Sequence, residues 1–271
     1  MAERTIIEAG RTERQYWRDL WRYRELFYLL AWRDLLVRYK QTAVGVAWSL
    51  LRPGLMMLAL MMVGKFGNLP TGGVPGALFY LAALLPWQFF ATALAESGSS
   101  LVNNANLISK TYFPRLVVPA SSVIVCFADF LISVVFLAVV MGYYHFMPPV
   151  AVVFFPLFML LVFALSLGSG LWIAALMVKY RDFRFIVPFV VQFGFIASVM
   201  LMPNKIQEQW RLLYSLNPVV GVINGFRWCL LGHENTLYWP GLIVSIAAAV
   251  FLLVTGLWYF RKMERTFADT I

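Results

Sequence analysis

Six apolar runs dominate this sequence, at about 43–66, 76–94, 116–141, 150–178, 186–202 and 242–260. Each is near or above the ~20 residues that a helix needs to cross a hydrocarbon core. With 61% of its 271 residues hydrophobic and 13% charged, the chain lacks the polar surface to cover a soluble globule of its size. It reads as an all-α integral membrane protein with six transmembrane helices, which returns both termini to one side.

Lys and Arg are retained on the cytoplasmic side of membrane proteins. Of the 22 here, seventeen fall in segments that the crossings bring together: Arg4 up to Lys40, Lys110 and Arg115, the 179–184 elbow, and 261–265. Lys65, Lys205, Arg211 and Arg227 lie opposite, and Arg52 is embedded. Both termini are therefore expected in the cytoplasm. The net charge of +9 expresses this orientation, because the cations flank crossings and form no soluble nucleic-acid face. Cys126 and Cys229 sit in different apolar segments without metal-like spacing, and read as packing residues. The first apolar run follows some forty polar residues and lacks the plan of a cleavable signal.

From 32 to 66 the chain passes from charged to apolar residues without a loop. The uncharged run after Arg52 is too short to span, so the first helix is expected to begin near Ala43. That puts Arg52 about nine residues inside, roughly 14 Å along the axis at 1.5 Å per residue. An embedded arginine is a functional candidate. Three readings stay open for it: pairing with Asp129, meeting an anionic substrate group, or snorkelling to the headgroups. Asp129 lies deep in the third helix, either a paired structural acid or a polar contact for a passing substrate. Upstream, 12–31 carries a helical period, with Trp17, Leu20, Trp21, Phe27, Tyr28 and Ala31 on one face and Arg14, Arg18, Arg22 and Glu25 opposite. Such a helix suits the cytoplasmic leaflet or a soluble partner.

Segment 96–114 is polar enough to leave the bilayer, and a short helix around 104–112 could fit a groove on a partner or be a plain connector. The elbow 179–184 is a tight charged link that could serve as a mechanical contact. In the fifth helix Phe185, Phe189 and Phe193 recur at i, i+4, i+8 with Gln192 on their side. This stripe either faces lipid or core, or lines a channel in which aromatic faces stack on sugars and amides bond hydroxyls. Beyond it, 203–240 holds a short interfacial helix, then Asn217-Pro218 as a helix start. The next apolar run, 219–231, is too short to span and is expected to dip and return as an outer gate, with Asn217, Pro218, Asn224 and Phe226 as its candidate residues.

The sequence has no G-x-x-x-x-G-K-[ST], H-E-x-x-H or G-x-S-x-G motif and no His/Cys/Asp cluster, so no catalytic or metal-ligating residues are assigned. Paired broken helices of an inverted-repeat transporter are also missing. Energy for any transport must come from another chain.

Over about 26–265 the chain resembles the membrane subunits of type-2 ABC exporters for polysaccharides such as O-antigen, capsule and teichoic acid. The resemblance rests on Arg33-Asp34-Leu35, Arg38-Tyr39, Thr42, Gly45, Trp48, Pro53, Tyr180-Arg181-Asp182 and Leu216-Asn217-Pro218. It implies a homodimer with a pore between two copies, in the bacterial inner membrane, moving a lipid-diphosphate-linked glycan. It further implies two ATP-binding cassette subunits docked on Trp17, Trp21, Asn104, Ser109, Lys110, Arg181 and Asp182, and it puts ATP and Mg on those subunits, with no cofactor in this chain. Arg52 departs from the resembled pattern, which has an uncharged residue before the helix-one proline. The alternatives are an ABC exporter of a small lipid or drug, or an ATP-independent flippase or scaffold. The implied layout is a cytoplasmic segment 1–41 with the interface helix, a transmembrane domain 42–260 with a coupling loop 96–114 and an outer re-entrant gate 203–240, and a cytoplasmic tail 261–271.

Overall fold

A computed structural model describes residues 13–40, 47–68, 71–200, 207–232, 237–264 and Phe267. Thr42, Gly45, the expected helix start at Ala43, residues 203–206 of the outer segment and the tail beyond Glu264, apart from Phe267, lie outside the described residues. Among the described residues the fold is helical and contains no strand. Its helices are α1 (Glu13–Arg22), α2 (Arg24–Lys40), α3 (Ala47–Phe66), α4 (Gly76–Asn103), α5 (Ala105–Lys110), α6 (Val117–Tyr143), α7 (Phe155–Lys179), α8 (Phe183–Phe195), α9 (Glu208–Ser215), α10 (Pro218–Leu231) and α11 (Trp239–Glu264). Five of them, α3, α4, α6, α7 (entered through a 3₁₀ turn at Val150–Phe154) and α11, are long and apolar enough to cross a membrane. The fifth expected crossing is shorter, with α8 prolonged by a π-helical turn at Ile196–Met200.

The central post is α4. Its spanning window is 78% buried against 22–33% for the other four, and α3, α6, α7, α8 and α10 all pack on it. It runs on through Pro86 as one helix. Around it, Leu78, Leu81, Leu84, Phe89, Phe130, Phe158, Val162 and Phe226 form one continuous core. Apolar burial separates helix from helix poorly within lipid, so close packing of small residues carries much of the association. The tightest approach is between α7 and α11. A Cβ on Gly168 would lie 2.5 Å from the Leu253 backbone nitrogen, and one on Gly256 would lie 2.5 Å from the Gly168 carbonyl oxygen. One turn further on, Trp172 donates to Thr255 at 3.0 Å and stacks on Tyr259 at 4.2 Å.

A second core gathers at the basic end of the bundle, where α1, α2, α5 and the C-terminus of α11 meet. Leu30, Leu101, Ile108, Phe113, Leu116, Val117, Leu171 and Phe260 are buried there. Arg115 joins α11 by a backbone donation to Glu264 Oε1 at 2.7 Å. The Arg261 guanidinium lies 4.6 Å over the Tyr16 ring of α1. Burial first, and the neighbouring Glu264 carboxylate second, push the Tyr16 phenol above its ordinary range.

Two expectations change here. The N-terminal amphipathic segment is two helices broken at Tyr23, although the Tyr23 N–H still bonds Asp19 and the Phe27 N–H bonds Tyr23. Its apolar residues also divide between two faces. Leu20 and Phe27 join Tyr16 and Leu30 against the bundle at heptad spacing, whereas Trp17, Trp21, Tyr28 and Trp32 stay exposed. Likewise the loop expected from 96 is helix as far as Asn103, since α4 simply continues past the apolar run before turning into α5.

Candidate functional site

Four helices converge on Asp129, which lies twelve residues beyond the first residue of α6, or about 18 Å along its axis. Arg38 of α2 donates from Nη1 to Asp129 Oδ2, and the Tyr39 hydroxyl donates to Oδ1. The second Arg38 nitrogen, Nη2, reaches Glu96 Oε1 of α4 at 3.2 Å, and the Tyr39 hydroxyl is 3.3 Å from Ser49 Oγ of α3. A carboxylate at this depth is costly unless paired and hydrogen-bonded, and both of its oxygens are occupied. The cluster therefore ties α2 to α3, α4 and α6 at one point.

Pairing of Asp129 with Arg52 is thus replaced by pairing with Arg38. The reason is the course of α2, which climbs beside α6. Leu30 packs near Leu116 and Val118, Asp34 and Val37 share a cleft with Ser122 and Val125, and Arg38 arrives level with Asp129. One turn earlier on α2, Arg33 bonds its neighbour Asp34 at 2.9 Å and reaches Asn104 Oδ1 at 3.1 Å. Asn104 in turn donates to the Ser100 carbonyl at 2.9 Å, so the Arg-Asp pair clasps the corner between α4 and α5.

Beside the Asp129 cluster lies a cavity of about 490 Å³ bounded by α3, α4 and α6, with Trp48, Arg52, Gln88, Thr92 and Ser133 on its walls. Arg52 is exposed to it, and among the described residues no ion pair or hydrogen bond engages its guanidinium.

The Phe185, Phe189 and Phe193 stripe of α8 is 77%, 61% and 57% exposed, with Gln192 exposed beside it. The Phe189 and Phe193 rings are 4.4 Å apart. On its other side α8 buries Val187 and rests Gly194 against Trp87 of α4. On α3, Trp48, Leu51, Leu55, Met62 and Phe66 are exposed in the same way, so the two helices that flank α4 carry broad uncovered apolar faces. Ser109, Lys110, Arg181 and Asp182 are exposed at the basic end, as are Trp17 and Trp21, while Asn104 is half-buried.

At the opposite end Asn217 caps α10 by accepting from the Val219 N–H at 3.2 Å and donates to Ser198 Oγ in the π-helical turn at 2.8 Å. Pro218 opens the helix and Asn224 is half-buried. Phe226 does not face an opening. It is 1% exposed and packed among Phe130, Phe155 and Phe158, because α10 is wedged between α4, α7 and α11. Next to it Arg227, expected as an outer-surface cation, is buried. Its Nη2 donates to the Val199 carbonyl at 3.1 Å, its guanidinium lies 4.2 Å over the Phe79 ring, and Nε has no partner. An arginine inside a thirteen-residue apolar run was the one signal in the sequence that pointed to it.

A profile described as ABC-2 type transporter matches residues 25–231. The chain is 29% identical over 258 residues to the O-antigen export system permease protein RfbA of Myxococcus xanthus, covering 94% of this chain and 98% of that protein. It is 26% identical over 250 residues to a protein of the same name from Klebsiella pneumoniae, covering 91% and 95%.

Proposed function

The chain belongs to the ABC-2 type transporter family, and from that premise we propose that it is the pore-forming subunit of an ATP-driven exporter that moves an O-antigen-like, lipid-diphosphate-linked polysaccharide out of the cytoplasm. The observation that carries this reading is the near end-to-end match to relatives named for O-antigen export. The protein sits in the bacterial inner membrane with its basic end and both termini in the cytoplasm, crossing six times with α8 as the fifth crossing. ATP and Mg belong to two cassette subunits docked at the basic end against Trp17, Trp21, Asn104, Ser109, Lys110, Arg181 and Asp182.

Two copies enclose the pore. The uncovered faces of α3 and α8 support this reading, since apolar and amide groups left open in one copy become a wall between two. Phe185, Phe189, Gln192 and Phe193 then line the passage, where aromatic faces hold sugars loosely and the amide exchanges hydroxyl bonds. At the outer mouth α9 and α10 form a re-entrant hairpin, with Asn217, Pro218 and Asn224 nearest the opening. Movement imposed on α1 and α2 by the ATPase reaches α3 through the Arg38–Tyr39–Asp129 cluster. Deleting the gene in its native cell tests the proposal: surface polysaccharide should disappear while its lipid-linked precursor accumulates inside. An unchanged surface polysaccharide would count against it.

A further inference from the structure

We propose that the cavity between α3, α4 and α6 is a binding site for the phosphate-bearing head of a lipid, with Arg52 as its anion-binding group. Around the cavity the carboxylates are paired, whereas donors are left over. Both acids on its wall are already engaged, Asp129 by Arg38 and Tyr39 and Glu96 by Arg38. The hydroxyls of Thr92 and Ser133 are turned back onto their own helix carbonyls at 2.7 and 3.0 Å. Arg52 and Gln88 remain as side chains whose donors are engaged by no group among the described residues, and both line the same cavity. Such a site has spare donors and a spare positive charge, and both of its carboxylates are paired, which fits an anion with several oxygens.

Arg52 is also placed on a helix long and apolar enough to cross a membrane, where a lipid-borne anion can reach it. It lies within a spanning helix, beside the buried Pro53 and one turn from Ser49, with the exposed Trp48 ring at the rim. A guanidinium at this position is expensive in lipid and is stabilised by a bidentate phosphate partner. A flat apolar ring next to it offers a platform for a sugar or an acyl chain. The phosphate could be borne by a polyprenyl diphosphate carrier or by an ordinary anionic phospholipid. The carrier assignment rests on the function proposed above, whereas the phosphate site itself does not.

The test uses the full chain with its ATPase partner in a phosphate-free nonionic detergent. Binding of a polyprenyl diphosphate, of phosphatidylglycerol and of uncharged polyprenol is read by native mass spectrometry and by thermal shift. The two phosphate lipids should bind in preference to polyprenol. Arg52→Gln should weaken them by about tenfold or more, and Arg52→Lys by only about threefold, because the charge survives and the bidentate fork is lost. Since no ion pair or hydrogen bond among the described residues engages Arg52, Arg52→Gln should melt with the parent when no lipid is added, which separates a binding defect from misfolding. Stronger binding of the diphosphate marks a carrier site, and stronger binding of phosphatidylglycerol marks a phospholipid site. Polyprenol bound as well as its diphosphate, or Arg52→Gln binding like the parent, overturns the proposal. ATP-driven export measured on the same protein in proteoliposomes reads the function separately: export without phosphate-dependent binding sinks the site alone, and binding without export sinks the transport reading alone.

Discussion

Reversing the ion pair between α2 and α6 probes the joint through which the N-terminal helices would move the pore wall. The Arg38 and Asp129 side chains are 32% and 27% exposed, between a surface pair and a buried one. Exposed pairs contribute about 0.2–1 kcal/mol, and breaking a buried pair costs about 3–5 kcal/mol. An intermediate cost of about 2 kcal/mol is therefore expected for Asp129→Asn, which removes one of the two carboxylates paired with Arg38. Arg38→Asp should cost more, because it sets three carboxylates around one point, and Asp129→Arg should do the same with two guanidinium groups. For a chain of this size about 2 kcal/mol corresponds to roughly 4–8 °C in melting temperature on the scaling for soluble domains. Exchanging both residues restores the attraction, although the Tyr39 donation to Asp129 is not recovered. The double variant should regain at least half of the loss of the worse single variant when unfolding is followed in detergent. The same order should appear in ATPase-coupled transport. A double variant no better than either single one, with coupling near zero in the cycle, would refute the view that these side chains act as one joint.

Three further outcomes follow from the geometry. Gly168→Val should separate α7 from α11 and cost about 3 kcal/mol or more as overpacking against backbone, whereas Gly142→Val, where a Cβ meets nothing within 4 Å, should leave the melting temperature unchanged. Arg227→Met should keep stability within about 1 kcal/mol, because a buried charge is exchanged for an apolar side chain of similar length. It should also speed amide exchange across 196–200, since the Val199 carbonyl loses its donor. Phe189→Cys in the assembled transporter should react with a membrane-impermeant thiol reagent; Cys126 and Cys229 are buried and give little background. Labelling from the lipid phase alone would remove α8 from the pore wall.

Much of the fold could be read from the sequence because spanning length and the Lys/Arg bias depend on local composition. The five long helices fall where the apolar runs lie, and α10 is a separate helix too short to cross. What escaped depends on which face docks on which. Period alone put Leu20 and Trp21 on one apolar side, but the bundle takes up only the stripe through Tyr16, Leu20 and Leu30, and Trp21 stays outside. The partner of Asp129 was hidden for the same reason. Arg52 is nearer to it in apparent depth along a spanning helix, and nothing in composition reveals that α2 climbs the side of α6. An aromatic residue in a short apolar run looks alike whether it faces a pore or the core, so the burial of Phe226 is not legible in the sequence. Arg227 could have been noticed from its apolar neighbours, although its ring and carbonyl partners lie far away in sequence, at Phe79 and Val199.

The central claim is that this chain, with a separate ATPase, conducts a lipid-linked glycan across a membrane. Proteoliposomes carrying both subunits and a lipid-linked polysaccharide in one leaflet test it most directly, with a lectin or a glycosidase reading the opposite side. Glycan should appear there only while ATP is hydrolysed, and the glycan should stimulate hydrolysis. Glycan movement that is unchanged when the ATPase is left out would contradict it.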